Sequence, residues 1–118
     1  MAGISGRVSY FYGLKGPCVT IDTACSSSLM ALNEAEKNLN AGECDFAIVG
    51  GVNLCLSPEF FINFSIAGML SPNGRCSTFD SSADGYVRGE GVGIIILRRS
   101  SEAKIQEDHI WADIEGIS

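Results

Sequence analysis

The stretch PCVTIDTACSSSL, residues 17–29, holds two kinds of local order back to back. Gly16 and Pro17 make a break, and the run from Pro17 to Asp22 is β-prone, which predicts a strand emerging from a turn. From Ser28 the period changes. Leu29, Leu32, Ala35 and Leu39 recur at helical intervals, Glu34, Lys37, Asn38 and Asn40 take the opposite side, and Gly42 supplies a stop. A strand that passes at once into an amphipathic helix is the start of an α/β layer structure.

The rest of the chain extends that pattern. FAIVGGVNL, Phe46 to Leu54, is nearly all apolar, as expected of a strand covered on both faces in a parallel or mixed sheet, and Gly50 and Gly51 would allow a neighbour to approach closely. Pro58 opens a helical or irregular stretch, Glu59 to Leu70, that carries Phe60, Phe61, Phe64, Ile66 and Met69. Residues 71–91 read mostly as loop, GIIIL at 93–97 as a second buried strand, and 98–107 as a polar connection. Ile110, Ala112 and Ile114 alternate with Trp111, Asp113 and Glu115, which predicts a last strand with one polar face. No repeat, linker or composition shift divides the chain, so residues 1–118 read as one piece.

Composition narrows the function. Eight Lys and Arg against 14 Asp and Glu give a net charge of −6, which argues against a general nucleic-acid binder. Apolar residues make up 46% and charged residues 19%, and 14 of the 118 residues are Gly, a composition for burial in so short a chain and a hint of a fragment. No apolar run is long enough to span a membrane and the first 15 residues lack the features of a signal peptide, so the expected location is cytoplasmic. Cys18, Cys25, Cys44, Cys55 and Cys76 are odd in number and show no zinc-ligand spacing; reduced, buried thiols and no metal site are expected.

Cys25 is the exception by position. It stands between the expected strand and the helix, among the small residues Ala24, Ser26 and Ser27. Unpaired N–H groups and the positive end of the helix dipole favour a thiolate there, and the same N–H groups can donate to an oxyanion on an attacked carbonyl. The other reading is a structural Cys beside three Ser residues that cap the helix. His109, the single His, shares the polar side with Trp111, Asp113 and Glu115 and reads as solvated, a poor base for a nucleophile. Asp80, Asp84 and Glu90 flank glycines and read as turn holders, and RGEGVG lacks the spacing and following helix of a phosphate loop, so tight packing of Gly89, Gly91 and Gly93 is expected instead. The phenylalanines around Phe64 fit either an acyl pocket or ordinary core.

Taken together, GPCVTIDTACSSSL, GECDFAIVGGVNL, FSIAGMLSPNGRCSTFDSSADGYVRGEGVG and DHIWADIEG resemble the ketosynthase, or β-ketoacyl synthase, domain of modular polyketide synthases, in order and over nearly the whole chain. The resemblance implies a thiolase-like layered α/β fold, of which this chain holds part of the N-terminal half only. It implies that Cys25 accepts an acyl group from the phosphopantetheine thioester of an acyl carrier protein, and that a decarboxylated malonyl unit then attacks the Cys25 thioester. It also implies that Phe64 lies near the acyl chain, and that the strand Val19 to Asp22 pairs with its copy in a homodimer. The chain needs no cofactor of its own in this picture, since the partner carries the phosphopantetheine.

The family's two catalytic His residues, its Lys and its Gly-Phe-Gly-type loop have no counterpart here, and His109 matches a non-catalytic position. A C-terminal ketosynthase half would have to supply them. Cys18 stands where Ser is usual. Lys15, Arg75, Arg88, Arg98, Arg99 and Lys104, which could meet an acidic carrier protein, are scattered in the sequence. A second function of another class is a non-catalytic ketosynthase remnant that pairs with a related chain through exposed apolar surface; a soluble monomer with no tendency to associate would count against it.

Overall fold

The computed structural model describes residues 3–117. The order of elements is α1 (Gly3–Tyr12), a 3-10 turn (Ala24–Ser26), α2 (Ser27–Asn40), β1 (Phe46–Asn53), α3 (Glu59–Ile66), β2 (Gly91–Arg98) and α4 (Ser100–Ile105). The chain divides into two compact units. One runs to Gly51 and resumes at Gly93, and the other is Val52–Val92. Both boundaries fall inside strands, where no linker-like composition marks them.

In the first unit α2 follows its sequence pattern closely. Its end is closed by Gly42 at φ +73°, with the Glu43 N–H donating to Asn38 O (2.9 Å) and the Gly42 N–H to Leu39 O (3.1 Å). This is the paired bond pattern that a left-handed residue after a helix allows, and glycine takes that conformation without steric cost. Strands β1 and β2 form a two-stranded sheet. Arg99, just past β2, donates to Cys44 O, just before β1, while Gly50 lies against Gly93 and Ile94 near the other ends, so the pair is antiparallel. The parallel or mixed sheet expected from the apolar run is therefore an antiparallel pair among the described residues.

The buried hydrophobics are Leu39 of α2, Val49 of β1 and Ala103 of α4. Arg99 ties this small core together: its guanidinium donates to Leu39 O and Cys44 O, and also to Glu102 Oε1 at 2.6 Å. One planar donor group thus satisfies two main-chain carbonyls and an acid. By contrast β2, expected to be covered on both faces, leaves Ile94 and Ile96 exposed on one face and Ile95 on the other. An apolar strand is buried only where a layer lies over each face, and the described residues bring none over these isoleucines.

Two expected strands are absent among the described residues. Residues 17–22 and 110–115 have no regular secondary structure. A β-prone run becomes a strand only when another segment takes its main-chain hydrogen bonds, and no other described segment pairs with either. Helix α1 carried no sequence signal: GISGRVSYFY has two glycines and four β-branched or aromatic residues near its end, all weak helix formers. Its Ser5 hydroxyl nevertheless reaches the Thr20 hydroxyl at 2.6 Å.

In the second unit α3 resolves the helical or irregular stretch as a helix of eight residues. The chain returns to it through a parallel bridge between Leu70 and Tyr86. The Ser71 N–H donates to Tyr86 O and the Tyr86 N–H to Met69 O, both at 3.0 Å. Gly85, at φ +140°, makes the bridge possible: a Cβ there would lie 2.5 Å from Ser71 N and 2.6 Å from the Leu70 carbonyl carbon. Gly89, Gly91 and Gly93 differ from expectation. A Cβ on any of them would meet nothing within 4 Å, so they are not packing glycines among the described residues.

Candidate active site

Cys25 lies where the sequence placed it, exposed, in the 3-10 turn that runs directly into α2. The turn is a sharp one. Ala24 adopts φ +56°, a left-handed conformation that costs an ordinary L-residue about 1–2 kcal/mol. Short hydrogen bonds hold it. The Ser27 hydroxyl donates to Ala24 O (2.6 Å) and accepts from the Thr23 N–H (2.9 Å), bridging the chain on both sides of the strained residue. The Ser26 hydroxyl reaches Thr23 O (2.9 Å) and Thr23 Oγ1 (2.8 Å), and Asp22 Oδ1 accepts from the Ala24 N–H (3.2 Å).

The capping reading of the serines does not hold at the start of α2. Ser26, the N-cap residue of α2, makes no side-chain cap bond; its hydroxyl and that of Ser27 turn back onto residues 23 and 24. At roughly 1 kcal/mol each, the two Ser27 bonds are comparable with the strain at Ala24. Sequence could show small polar residues beside Cys25, but not that one of them holds a left-handed backbone.

Behind this turn, α2 rests on β1. A Cβ on Gly51 would sit 2.7 Å from Ser28 Oγ, so the glycine leaves room for the first turn of the helix. The close approach expected at the Gly50-Gly51 pair is thus made by the helix that Cys25 opens. No hydrogen bond reaches the Cys25 sulfur from the described residues. A thiol exposed at a helix start, with main-chain N–H groups beside it and no bulky neighbour in sequence, can meet a thioester carbonyl.

Phe64 belongs to the second unit. It is half-buried on α3, stacked on Phe60 with ring centroids 6.4 Å apart and met edge-on by Tyr86 at 6.3 Å. Phe60 and Phe61 are exposed, at 57% and 38%, so no other described residue encloses this aromatic group as a core.

The remaining candidates fall to structural roles. His109 is exposed and stacks edge-on against Trp111 at 4.7 Å, in keeping with the shared polar side, and has no carboxylate partner among the described residues. Asp84 accepts from Asn73 Nδ2 (2.5 Å) and Glu90 from the Cys55 N–H (2.6 Å); in place of the turns expected of them, they tie together segments 11 and 35 residues apart. All five cysteines are free, but none is buried: Cys18 and Cys76 are exposed, Cys44 and Cys55 half-buried. Of the scattered cations, Arg98 pairs with Asp108 and Arg99 with Glu102. No helix among the described residues is long and apolar enough to cross a membrane.

Asp80 gives a pH prediction. The Ser82 hydroxyl (2.7 Å) and then the Ser82 N–H (2.8 Å) donate to its Oδ1 and hold its carboxyl below the ordinary value. A depressed folded-state pKa adds stability above the unfolded value of about 3.9, and that stability is lost as pH falls through the folded-state pKa. The Ser82 amide proton is therefore expected to keep its folded chemical shift at pH 5 and to lose it only in stronger acid. A transition at pH 6 or above would contradict the assignment.

The comparisons with known proteins agree with one another. A family model described as Beta-ketoacyl synthase, N-terminal domain matches residues 1–103. The chain is 52% identical over 115 residues to the highly reducing polyketide synthase dmxL2 of Cryptosporiopsis sp., covering 98% of this chain and 5% of that protein. It is 50% identical over 111 residues to a phenolphthiocerol/phthiocerol polyketide synthase polypeptide of Mycobacterium tuberculosis, covering 94% of this chain and 7% of that protein. The ketosynthase from module 6 of the bacillaene synthase from Bacillus subtilis 168 superposes with a TM-score of 0.88 at 49% identity, over 90% of this chain and 19% of that one. The chain thus spans a small part of the relatives it matches, and its fold is that of the N-terminal part of the thiolase-like ketosynthases. With family model, sequence relatives and solved structures in accord, the chain belongs to the β-ketoacyl synthase family.

Proposed function

We propose that Cys25 is the acyl-accepting nucleophile of a polyketide-type ketosynthase. The observation that carries the reading is an exposed cysteine on a strained, serine-held turn that opens α2. The Cys25 thiolate attacks the carbonyl carbon of an acyl thioester on the phosphopantetheine arm of an acyl carrier protein. The carbonyl electron pair moves onto oxygen, beside the N–H groups of the helix start, and returns as the carbon–sulfur bond to the carrier breaks. The carrier leaves as its thiolate and takes up a proton. Phe64 contacts the acyl chain.

In the complete enzyme a malonyl group on a carrier loses carbon dioxide, and the electron pair left on its α-carbon forms a bond to the acyl carbonyl carbon. The Cys25 thiolate departs, giving a β-ketoacyl carrier in polyketide or fatty-acid assembly. That second step draws on His and Lys residues outside this chain, and the complete enzyme is a cytoplasmic homodimer whose Val19–Asp22 segments pair across the two-fold axis.

The test separates the two steps. The chain is incubated with an acyl thioester, alone and together with a C-terminal ketosynthase half, and both cysteine acylation and carbon dioxide release from malonyl carrier are followed. Acylation at Cys25 is expected in both samples and decarboxylation only with both halves. Acyl groups spread evenly over the exposed Cys18, Cys25 and Cys76 would refute the nucleophile assignment.

A further inference from the structure

Arg88 is held differently from Arg98 and Arg99. Arg98 and Arg99 each pair with carboxylates. Arg88 makes no ion pair among the described residues, and its Nε is buried without a hydrogen-bond partner. Its guanidinium carbon instead lies 4.9 Å from the ring centroid of Phe64, 5.4 Å from Phe61 and 5.6 Å from Phe60.

All three rings belong to α3 and lie within the ~6 Å at which a ring face attracts a cation. Leaving a buried donor unpaired is unfavourable, and a neutral side chain of similar length would avoid it. What arginine adds at this position is a planar charge that attracts three ring faces at once. The attraction is mutual. With Arg88 on the ring, Phe60 stacked beside it and Tyr86 at its edge, Phe64 is restrained from several sides.

We infer that Arg88 is a positioning residue that fixes the orientation of the Phe64 ring, and through it the discrimination among acyl chains. The second clause rests on the proposed contact between Phe64 and the acyl group; the first does not. Arg88 touches no reacting atom in this role. It acts through the ring, so its loss relaxes selectivity without removing the nucleophile.

Two measurements on the 118-residue chain separate these parts. The first is the NMR spectrum. In the unsubstituted chain the Arg88 δ-methylene protons are expected upfield of their ordinary position because of the ring currents, and the Phe64 ring signals are expected to shift in Arg88→Met and to return in Arg88→Lys. Arg88 protons at the ordinary position overturn the inference even if the variants fail to fold. The second is the ratio of the dissociation constants for the N-acetylcysteamine thioesters of acetate and hexanoate, read on amide signals of the second unit. Phe64→Ala and Arg88→Met are both expected to change the ratio about threefold or more, with Arg88→Lys restoring most of it. A change in Phe64→Ala without one in Arg88→Met defeats the role of Arg88 and leaves the Phe64 contact standing. No change in either defeats the Phe64 contact, and with it the selectivity clause, while the spectrum still decides the orientation of the ring.

Discussion

Cys25→Ala is expected to remove site-specific acylation of the chain by an acyl thioester, leaving only the slow background of the other thiols. Exposure alone does not predict this, because Cys18 and Cys76 are exposed too. Setting differs. Cys25 sits in the 3-10 turn that opens a 14-residue helix, where the positive end of the helix dipole acts on a thiolate and on the oxygen of an attacked carbonyl. Cys76 instead accepts a main-chain hydrogen bond from the Val87 N–H at 3.3 Å. Mass mapping after short exposure should therefore find the acyl group on Cys25 in the unsubstituted chain and in Cys18→Ala and Cys76→Ala, and almost none in Cys25→Ala. Equal labelling of all four proteins would refute it. Ser27→Ala makes a finer version of the same test. It removes two bonds of about 1 kcal/mol each from a residue strained by about 1–2 kcal/mol, so the turn should relax and acylation should fall several-fold with the sulfur still present.

Gly85→Ala is expected to have the largest effect on stability. The new methyl group would lie 2.5 Å from Ser71 N and 2.9 Å from Leu70 O, atoms of the main chain that cannot swing aside as a side chain does. The φ of +140° is also one that residues with a Cβ rarely adopt. Loss of the two bridge bonds at about 1 kcal/mol each, together with backbone strain of about 1–3 kcal/mol, gives a destabilisation of roughly 3–5 kcal/mol. Hydrogen exchange should show it directly, with the Ser71 and Tyr86 amides losing protection. Gly89→Ala is the control. A Cβ there meets nothing, and its effect should stay within about 0.5 kcal/mol. Similar protection in both variants would show that the bridge does not depend on Gly85.

What could be read from the sequence followed from periodicity and local chemistry. The spacing of Leu29, Leu32, Ala35 and Leu39 placed α2, Gly42 its end, and the apolar runs β1 and β2. Cys25 at the start of α2 was legible for the same reason, being a place in a local pattern. Contacts between distant residues were not. Nothing in the order of residues links Arg88 to Phe60, Phe61 and Phe64, and nothing marks Ala24 as left-handed, since an alanine there looks like any small residue. The run Pro17 to Asp22 was read as a strand and has no regular secondary structure, because pairing is a property of two segments and a single sequence shows one. Helix α4 was missed because SSEAKI is too short to show a period.

The serine-held turn has a kinetic meaning as well. Its bonds join residues two to four positions apart, whereas the Arg99 clasp between the ends of β1 and β2 spans 55. Contacts between near neighbours need little loop closure and form early, while distant pairings must first bear that entropy cost. The reactive turn is therefore a feature that the chain can assemble from its own nearest neighbours, ahead of the sheet pairing on which the rest of its unit depends.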